Sequence, residues 1–426
     1  MSFLPRSFVC LRWITALLTF VWLLQTCVSF TLPFNRTLCQ LPTSPDPLSG
    51  CPTGTLLVSP SPSSPSNSTS ETFATLQSAL NTIPSNSSSS SPRSEHVILI
   101  LPGVYTEQVN ITHRIPLTIL GQTLSPDDAS ANTVTLLWHA ATAGVTNSTL
   151  DNAYTSTLII APTLLSSLTG SGPLGYPVPP DTPFGSPRIS IYNVDIANDY
   201  APTSSGPSLA VAVSRANAGF YFSKISSYQD TVYIGKLGNA YFYEGEVSGM
   251  TDFLYGFGTL WVQGGRIALR GCGGGISAWK GVNRTTEEIK GEKEESRFGV
   301  YVHGARVERA NATLDLDGQC SLGRPWNSLH RSIFAKCELD ASIRKEGYST
   351  WSSAETRVGN ETFMAEYGNY GPGYNESGRS DGGISRVLTK EEYLPYAIPA
   401  GVFRFENGGF GNTGWIDNFY APMPDD

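Results

Sequence analysis

The sequence predicts an all-β fold, and the spacing of its strands favours a stacked β-solenoid over a β-sandwich or a barrel. Short runs rich in β-branched and aromatic residues recur from Val97 onward, separated by Gly, Asn, Asp and Ser. Their starts are commonly about 20 residues apart, within the range of solenoid repeats. Helical periodicity is nearly absent over the same region. Many short strands also suit a sandwich or a barrel, but the regular rhythm favours stacked coils.

Each predicted strand is a short run in which apolar and polar residues nearly alternate. The runs are 97–101, 117–120, 133–138, 158–160, 189–196, 209–213, 218–225, 240–246, 260–267, 299–307 and 332–343. Before them, apolar residues from Phe73 to Ile83 have helical spacing. We expect a short helix there that caps the end of the solenoid.

The chain divides into three predicted parts. Residues 1–29 resemble a secretory signal, with Arg6 and Arg12 before an apolar run at 14–24 and small residues at 27–29. A membrane anchor is the less favoured alternative, because the run is short and no stop-transfer pattern follows. Residues 30–70 form a Ser/Pro-rich N-terminal segment or linker. Residues 71–426 form one catalytic β-solenoid domain, interrupted by a charged insertion at 287–295.

The predicted signal indicates a secreted, extracellular protein, and the composition disfavours binding to nucleic acid or membranes. The net charge is −8 and only 15% of residues are charged, so the basic face that nucleic acid or anionic lipid requires is not expected. We expect a monomer without metal or cofactor. Nine Asn-X-Ser/Thr sequences predict a glycosylated exterior. They start at Asn35, Asn67, Asn86, Asn110, Asn147, Asn283, Asn311, Asn360 and Asn375.

Five cysteines follow the predicted signal, so one thiol is expected to stay unpaired. Cys39 and Cys51 are close in sequence and make one plausible pair. Cys320 and Cys337 make another. Cys272, within a glycine-rich stretch, is then the expected free thiol, and a buried structural role suits it better than a nucleophilic one.

Three clusters place charged or amide groups among aromatic residues and glycines, at 228–233, 249–256 and 322–326. Singly, an Asp at a strand end is usually a turn former, and an Arg beside Trp is often a stacked surface cation. Together they suggest chemistry, because Asp230 and Asp252 are one solenoid turn apart and would lie above one another. Paired carboxylates of this kind serve general acid and base catalysis.

The clusters resemble the motifs of pectin methylesterases, enzymes that demethylate cell-wall homogalacturonan. The matching stretches are G-V-Y-T-E at 103–107, Q-D-T at 229–231, D-F-L-Y-G at 252–256 and L-G-R-P-W at 322–326. They occur in the family's order and with similar spacing, and the resemblance runs from about Phe73 to the C-terminus. It implies a right-handed parallel β-helix, with methyl-esterified pectin as the partner.

The resemblance also implies a role for each site residue. Asp252 would be the nucleophile, Asp230 the general acid and base, Arg324 the partner of Asp252, and Gln229 an oxyanion donor. Gly103, Tyr105 and Glu107 would be structural. The sugar-contacting aromatics would be Trp326, Tyr255 and Tyr233.

Elementary chemistry is consistent with these roles. Arg324 would keep Asp252 ionised and aimed, while burial and the neighbouring carboxylate would raise the pKa of Asp230. Neighbouring residues on a regular strand point to opposite faces. Gln229 and Asp230 can therefore both face the cleft only if the chain bends or the strand ends there.

One position departs from the family pattern. The family carries Q-A-V-A-L upstream, whereas this chain has L-A-V-A-V at 209–213. The Leu209 side chain cannot donate a hydrogen bond, so Ser208 or a backbone N–H would have to replace the second oxyanion donor, or turnover would fall. Losing one such donor typically costs ~10²–10³ in rate.

The sequence therefore predicts a secreted pectin methylesterase. The alternative is a catalytically weakened or inactive β-helix that binds pectin, which Leu209 favours but the remaining polar residues do not. A pectate lyase or polygalacturonase is a third possibility. It is disfavoured because a lyase needs an acidic calcium cluster and none of the five His residues has the setting that a galacturonase needs.

Overall fold

Parallel strands form the body of the molecule in a computed structural model that describes residues 32–61, 72–86, 95–142, 150–170, 176–179, 181–281, 297–406 and 408–422. The strands make three sheets in which every third strand belongs to the same sheet. Every pair of named strands within these sheets is parallel. The predicted signal at 1–29 and the charged insertion at 287–295 lie outside the described residues, as do residues 62–70 of the Ser/Pro-rich segment.

Each turn of the solenoid, here called a coil, contributes one strand to each sheet. Sheet 1 contains β1 (Leu56–Val58), β2 (Thr72–Phe73), β3 (His96–Ile100), β6 (Leu117–Gly121), β9 (Ile189–Tyr192), β12 (Asn217–Tyr221), β15 (Asn239–Tyr243), β18 (Thr259–Gln263), β21 (Gly299–His303), β24 (Arg331–Ala335), β26 (Phe363–Tyr367) and β27 (Arg386–Val387). Sheet 2 contains β4 (Gly103–Thr106), β7 (Val134–Trp138), β10 (Val194–Asn198), β13 (Lys224–Ser226), β16 (Glu246–Gly249), β19 (Arg266–Leu269), β22 (Arg306–Arg309) and β25 (Glu338–Leu339). Sheet 3 contains β5 (Val109–Ile111), β8 (Leu158–Ile160), β11 (Val211–Val213), β14 (Val232–Ile234), β17 (Leu254–Gly256), β20 (Gly275–Trp279) and β23 (Ser321–Gly323).

The helices are short and lie at the ends and on the outside of the strands. The α-helices are α1 (Arg36–Gln40), α2 (Leu76–Leu80), α3 (Leu164–Ser167), α4 (Glu376–Gly382) and α5 (Lys390–Tyr393). The 3₁₀ turns are Ala129–Ala131, Asn152–Thr155, Leu394–Tyr396, Pro399–Gly401 and Asn418–Tyr420. The sequence-based prediction of a parallel solenoid is confirmed.

The core consists of columns of side chains that stack from coil to coil, because the strands pair in register. One inward column in sheet 1 is apolar over eight successive strands and ends at the buried Glu366, which pairs with Phe334. Its apolar members are Ile98, Ile119, Ile191, Phe220, Phe242, Val262, Val302 and Phe334, all buried. Fully burying a side chain of this size stabilises the fold by about 1.5–3 kcal/mol. A single coil cannot bury this face, so the stacked coils supply the core together.

Several runs predicted as one strand are two short strands joined at a residue in the left-handed conformation. Asn193 (φ 54°) separates β9 from β10, and Phe222 (φ 53°) separates β12 from β13. Glu244 and Lys336 have the same conformation at the corresponding positions of later coils, and Gly264 and Gly304 follow the same rule. One left-handed residue turns the chain sharply, so these coils pass from sheet 1 to sheet 2 without a loop, whereas residues 122–133 form a longer connection between β6 and β7.

The N-terminal end of the solenoid is closed as expected by α2. Thr75 caps this helix, and the carboxylate of Glu107 accepts hydrogen bonds from the N–H groups of Leu76 and Gln77 at 2.8 and 3.0 Å. The Tyr105 hydroxyl donates to the Leu101 carbonyl at 2.8 Å. The G-V-Y-T-E motif is therefore structural, as predicted.

Part of the predicted N-terminal segment belongs to the solenoid. Leu56–Val58 pairs with β3 in sheet 1, although the predicted domain boundary placed these residues outside it. The helix α1 packs on the outer face of sheet 1, where Gln40 donates to the Gly121 carbonyl at 2.8 Å. The C-terminal segment covers the same face, with Tyr192 donating to Asp417 at 2.7 Å.

The predicted cysteine pairing is right for one bond and wrong for the other. Cys39 and Cys51 form a disulfide, but Cys272 is bonded to Cys320 rather than left free. Gly275 pairs with Ser321 between β20 and β23, so Cys272 and Cys320 meet on adjacent coils although 48 residues separate them. Cys337 is the free thiol among the described cysteines, and it is completely buried.

This pairing predicts the pattern of thiol labelling. Burial raises the pKa of Cys337 to about 12, so the native protein should resist alkylation at that residue at neutral pH. After unfolding without reductant, peptide mapping should find alkylation at Cys337 and at neither Cys272 nor Cys320. A label on Cys272 would contradict the pairing.

Candidate active site

Two aspartates from consecutive coils lie one above the other at the start of sheet 3. Val232 of β14 pairs with Leu254 of β17. Asp230 stands two residues before Val232, and Asp252 stands two residues before Leu254. Both aspartates have left-handed backbones, with φ of 59° and 48°, and both are almost fully buried. The bend predicted at Gln229 and Asp230 is confirmed, because a left-handed residue interrupts the strand there.

Arg324 holds the carboxylate of Asp252 by two hydrogen bonds. Its Nε donates to Oδ1 at 2.8 Å and its Nη2 donates to Oδ2 at 2.6 Å. The Gly275 N–H donates to the same Oδ1 at 3.0 Å. Paired charged hydrogen bonds of this kind fix orientation as well as supplying energy. The guanidinium also lies 4.0 Å from the ring centroid of Trp351, which supports its other side.

Asp230 has the opposite electrostatic environment. Burial raises its pKa well above the ordinary value, and the Asp252 carboxylate raises it further. Arg324, Lys280 and a hydrogen bond from Asn152 oppose this increase but do not cancel it. Two stacked carboxylates are thereby divided into one that is paired with an arginine and one that favours the protonated form, as the sequence predicted for Asp230.

Lys280 brings a second cation to the site. It follows β20, is 2% exposed and donates from Nζ to the Gly170 carbonyl at 3.2 Å. Burial lowers its pKa to about 8, while Asp230 and Asp151 oppose that decrease. Its ammonium lies 4.1 Å from the ring centroid of Trp326. The site therefore carries positive charge on two sides in a chain whose net charge is −8.

Gln229 is oriented by a hydroxyl that the sequence did not single out. Ser204 donates to its Oε1 at 2.8 Å. Because the amide oxygen of Gln229 accepts this hydrogen bond, its Nε2 group points away from Ser204 and can donate to another group. This arrangement supports the predicted use of Gln229 as a hydrogen-bond donor.

The three predicted sugar-contacting aromatics form a stack, but only one of them has appreciable exposure. Tyr233 lies 4.9 Å from Tyr255, and Tyr255 lies 6.0 Å from Trp326, between ring centroids. Tyr233 and Tyr255 are 1% and 3% exposed, because residues of the 150–170 segment cover them. Trp326 is partly exposed and packs against Trp351, which is also partly exposed. In this conformation the surface open to a sugar is therefore that of the two tryptophans.

Leu209 lies within this aromatic cluster and is fully buried. Ser208, a candidate replacement for its missing donor, and the N–H of Leu209 itself are both engaged elsewhere. The Leu209 N–H donates to the Thr155 hydroxyl at 2.9 Å, and the Ser208 hydroxyl is paired with that of Ser227 at 2.8 Å. Neither group supplies the site with a donor in this structure.

Sequence motifs thus identified four polar residues that the fold brings together, but they missed others. Trp351 could have been suspected, because it is an isolated Trp shortly after the L-G-R-P-W motif. Asn152, Ser204 and Lys280 carried no signal, since each reaches the site from a loop or a strand end without a motif. Among the described residues, no group of three His, Cys, Asp or Glu side chains is arranged to hold a metal ion.

The comparison with known families decides the identity. The family model described as Pectinesterase matches residues 188–400, half of the chain, which include all four polar site residues. The chain belongs to the pectinesterase family. It is accordingly a carboxylic ester hydrolase, and its family supports de-esterification of pectin.

Similar proteins and structures span most of the pectinesterase chain. The probable pectinesterase A of Aspergillus flavus is 26% identical over 352 residues, which cover 83% of this chain and 88% of the relative. Pectinesterase A of Emericella nidulans is 26% identical over 328 residues, covering 76% and 84%.

Solved structures share the fold. The pectin methylesterase of Aspergillus niger matches with a TM-score of 0.62 and 22% identity, over 87% of this chain and 98% of that one. The carrot enzyme matches with a TM-score of 0.63 and 17% identity, over 88% and 98%. A pectin methylesterase solved in complex with a hexasaccharide matches with a TM-score of 0.57 and 19% identity, over 83% and 98%. The right-handed parallel β-helix predicted for the pectinesterase is thereby confirmed. None of its described helices is long and apolar enough to cross a membrane.

The geometry around Asp252 predicts the effect of one added methyl group. A Cβ at Gly274 would lie 2.6 Å from Asp252 Oδ1 and 2.9 Å from Arg324 Nη2. Gly274→Ala should displace this pair and lower the rate of ester hydrolysis by roughly 10–10²-fold, the scale expected for a displacement of about 1 Å. The control is Gly271→Ala, whose Cβ meets only the flexible side chain of Met250. Equal activity in both variants would contradict the assigned geometry.

Proposed function

We propose that this pectinesterase is a secreted enzyme that hydrolyses the methyl esters of cell-wall homogalacturonan, with Asp252 as nucleophile and Asp230 as general acid and base. The products are methanol and free galacturonate. The observation that carries the proposal is the division of two stacked carboxylates. Asp252 is held as an anion partner of Arg324, while burial and Asp252 raise the pKa of Asp230.

In the first step, an oxygen of Asp252 attacks the ester carbon. The negative charge that develops on the carbonyl oxygen accepts a hydrogen bond from Nε2 of Gln229, which Ser204 turns away from itself. Asp230 donates its proton to the departing methoxide, which leaves as methanol. The result is an acid anhydride between substrate and Asp252, and Asp230 is now a carboxylate.

In the second step, Asp230 takes a proton from water as the water oxygen attacks the substrate carbonyl carbon. The bond from that carbon to Asp252 breaks, and the nucleophile returns to its bidentate pair with Arg324. Asp230 is protonated again. The overall balance is one ester and one water consumed, and one methanol and one uronic acid formed.

The charge distribution supports a uronate polymer as the substrate. Methylated pectin is neutral at each ester, and each turnover adds a negative charge to the polymer. Lys280 and Arg324 supply local positive charge beside the exposed Trp326 and Trp351. The similar structure that was solved with a hexasaccharide is consistent with a sugar chain lying across this face.

A non-catalytic pectin-binding β-helix is the competing function, and Leu209 is the feature that favours it. Binding alone would require neither the two hydrogen bonds to Asp252 nor a protonated Asp230. Incubation with highly methylated pectin separates the classes by three measurements: methanol, unsaturated products by ultraviolet absorbance, and reducing ends. Methanol alone supports the esterase. Unsaturated products indicate a lyase, new reducing ends a galacturonase, and binding without any product a binding protein.

Removal of the proposed nucleophile should abolish methanol release. We expect Asp252→Ala to lower kcat by on the order of 10⁴-fold or more, as loss of a nucleophile does in other hydrolases. The matched control is Asp340→Ala, which breaks another Arg–Asp pair, with Arg309 at 3.2 Å. That variant should retain wild-type activity. Comparable methanol release by both variants would exclude Asp252 as the nucleophile.

The raised pKa of Asp230 predicts a gain in stability when its charge is removed. At pH values below 3.8, the pKa of this carboxyl in the unfolded state, Asp230 is neutral in both the folded and the unfolded protein, so it adds no pH dependence to the stability there. As the pH rises toward the higher folded pKa, the unfolded state loses the proton first and the free energy of unfolding falls. Asp230→Asn should therefore be inactive yet more stable, by a margin that grows as the pH rises above 3.8.

Denaturant unfolding between pH 3.5 and 7 measures this margin. Asp252→Asn is the contrasting variant, because it loses a charged hydrogen-bond pair and should be destabilised by roughly 2 kcal/mol. A stability difference between Asp230→Asn and wild type that is independent of pH would contradict a raised pKa.

A further inference from the structure

The position that precedes Asp230 by one coil offers the site no polar side chain. Val211 of β11 pairs with Val232 of β14. Leu209 stands two residues before Val211, and Asp230 stands two residues before Val232. Leu209 is therefore the residue that corresponds to Asp230 on the preceding coil. Leu209 is fully buried, and its N–H is used by Thr155. A buried carboxyl group at this place would lack a partner on that side unless another segment supplied one.

Asn152 supplies that partner. It is the first residue of the 3₁₀ turn Asn152–Thr155, and its Nδ2 lies 3.2 Å from Oδ2 of Asp230. Among the described residues, this is the hydrogen bond that a side chain gives to the Asp230 carboxyl group. The two residues are 78 positions apart in the sequence, so the contact exists only through the fold.

The turn that carries Asn152 is held by its neighbour, Asp151. The Asp151 carboxylate accepts hydrogen bonds from the Ala153 N–H at 2.9 Å and from the Thr169 N–H at 2.9 Å. It also accepts from the Thr169 hydroxyl at 3.1 Å and from the Gly170 N–H at 2.7 Å. Asp151 is 9% exposed. Three of these bonds tie the 151–155 turn to residues 169–170, and the fourth caps the turn itself, so that the amide is fixed in place before substrate arrives.

We propose that Asn152 is a positioning residue that selects the oxygen through which Asp230 transfers protons. Its amide N–H occupies Oδ2, which leaves Oδ1 as the oxygen that carries the proton to the leaving methoxide and later receives one from water. Asn152 thereby gives Asp230 a hydrogen-bond donor, whereas the side chain of Leu209 on the preceding coil cannot donate one. The inference rests on the proposed function and goes beyond it by naming the residue that directs the acid.

The other groups that face Asp230 come from four elements, and each contributes a charge or a hydroxyl. Asp252 lies on the next coil, Arg324 follows β23, and Lys280 follows β20. Tyr255 of β17 has a buried hydroxyl; burial raises its pKa, Asp230 raises it further, and Asn152 opposes the increase. Asp151 lies beside Asn152. Tyr255 is the one of these groups whose pKa Asn152 also affects, but its pKa lies well above 10, outside the range of the profile, so a shift of the limb is assigned to the amide's effect on Asp230.

The test compares pH profiles of methanol release for full-length wild type, Asn152→Ala and Asn152→Asp on methylated pectin. Asn152→Ala should lower kcat about 10-fold with little change in KM, a smaller loss than the ~10²–10⁴-fold that general acid–base catalysis contributes, because the acid itself is retained. The hydrogen bond favours the ionised form of Asp230, so its loss should move the alkaline limb of kcat/KM to higher pH. Asn152→Asp should move it further, because a second carboxylate is added at the same size.

Two further variants separate positioning from support of the fold. Asn152→Gln restores a donor and should recover part of kcat and return the limb toward its wild-type pH. Asn132→Ala is the matched control, because that amide donates to another half-buried carboxyl, Asp195, at 2.6 Å. The control should leave the pH profile unchanged. Leu209→Gln should not raise kcat in the wild-type background, but it should restore part of the kcat that Asn152→Ala loses.

Two results would overturn the proposal. An Asn152→Ala profile with unchanged kcat and limb would assign the residue a structural role. A limb moved to lower pH would mean that the amide oxygen accepts a hydrogen bond from the protonated Asp230 carboxyl, instead of the amide N–H donating to the ionised one. Absence of methanol from wild type would instead refute the proposed function. In that case denaturant unfolding tests the Asn152–Asp230 contact without activity. The free energy of unfolding of Asn152→Ala should fall more steeply with rising pH than that of the wild type. In the Asp230→Asn background, Asn152→Ala should not change this pH dependence.

Discussion

Parallel pairing in register is the constraint on which the site depends. It places each residue of one coil above the corresponding residue of the previous coil, whatever their charges. In the core this stacks apolar side chains, but at the start of sheet 3 it stacks Asp230 and Asp252. Two buried carboxylates so close cannot both ionise at low cost. Arg324 breaks the symmetry, because its two hydrogen bonds reach Asp252 and not Asp230.

The left-handed backbone conformation at Asp230 and Asp252 also determines where their carboxylates lie. Asp and Asn tolerate this conformation better than most residues, because their short side chains bond locally. The chain therefore changes direction at Asp230 and at Asp252, and their carboxylates lie at this corner of the coil. A regular strand would have sent Gln229 and Asp230 to opposite faces. The left-handed corner interrupts that alternation, at the expense of an uncommon backbone angle at Asp230 and at Asp252.

Sequence patterns predicted those parts of the fold and site that repeat or lie within one coil. The strand rhythm predicted the solenoid, and short motifs identified Gln229, Asp230, Asp252 and Arg324. The same patterns merged strands across Asn193 and Phe222, since a single left-handed residue leaves no mark on hydrophobic alternation. They also paired Cys320 with Cys337 by proximity, whereas coil stacking brings Cys272 to Cys320. Asn152 and Lys280 reach Asp230 through loop paths, which no local pattern encodes.

The covering segment explains why such loop residues matter. The β-helix alone would place Asp230 at a surface corner, where water would stabilise its ionised form. Residues 151–155 and 164–170, which lie on either side of β8, cover that corner, with Asn152 on Asp230, Leu168 on Tyr233, and Gly170 on Lys280. Burial is the largest cause of the raised pKa of Asp230 and of the lowered pKa of Lys280. The repeating scaffold therefore sets where the acid stands, while the non-repeating segment sets how strongly it holds its proton and which oxygen carries it.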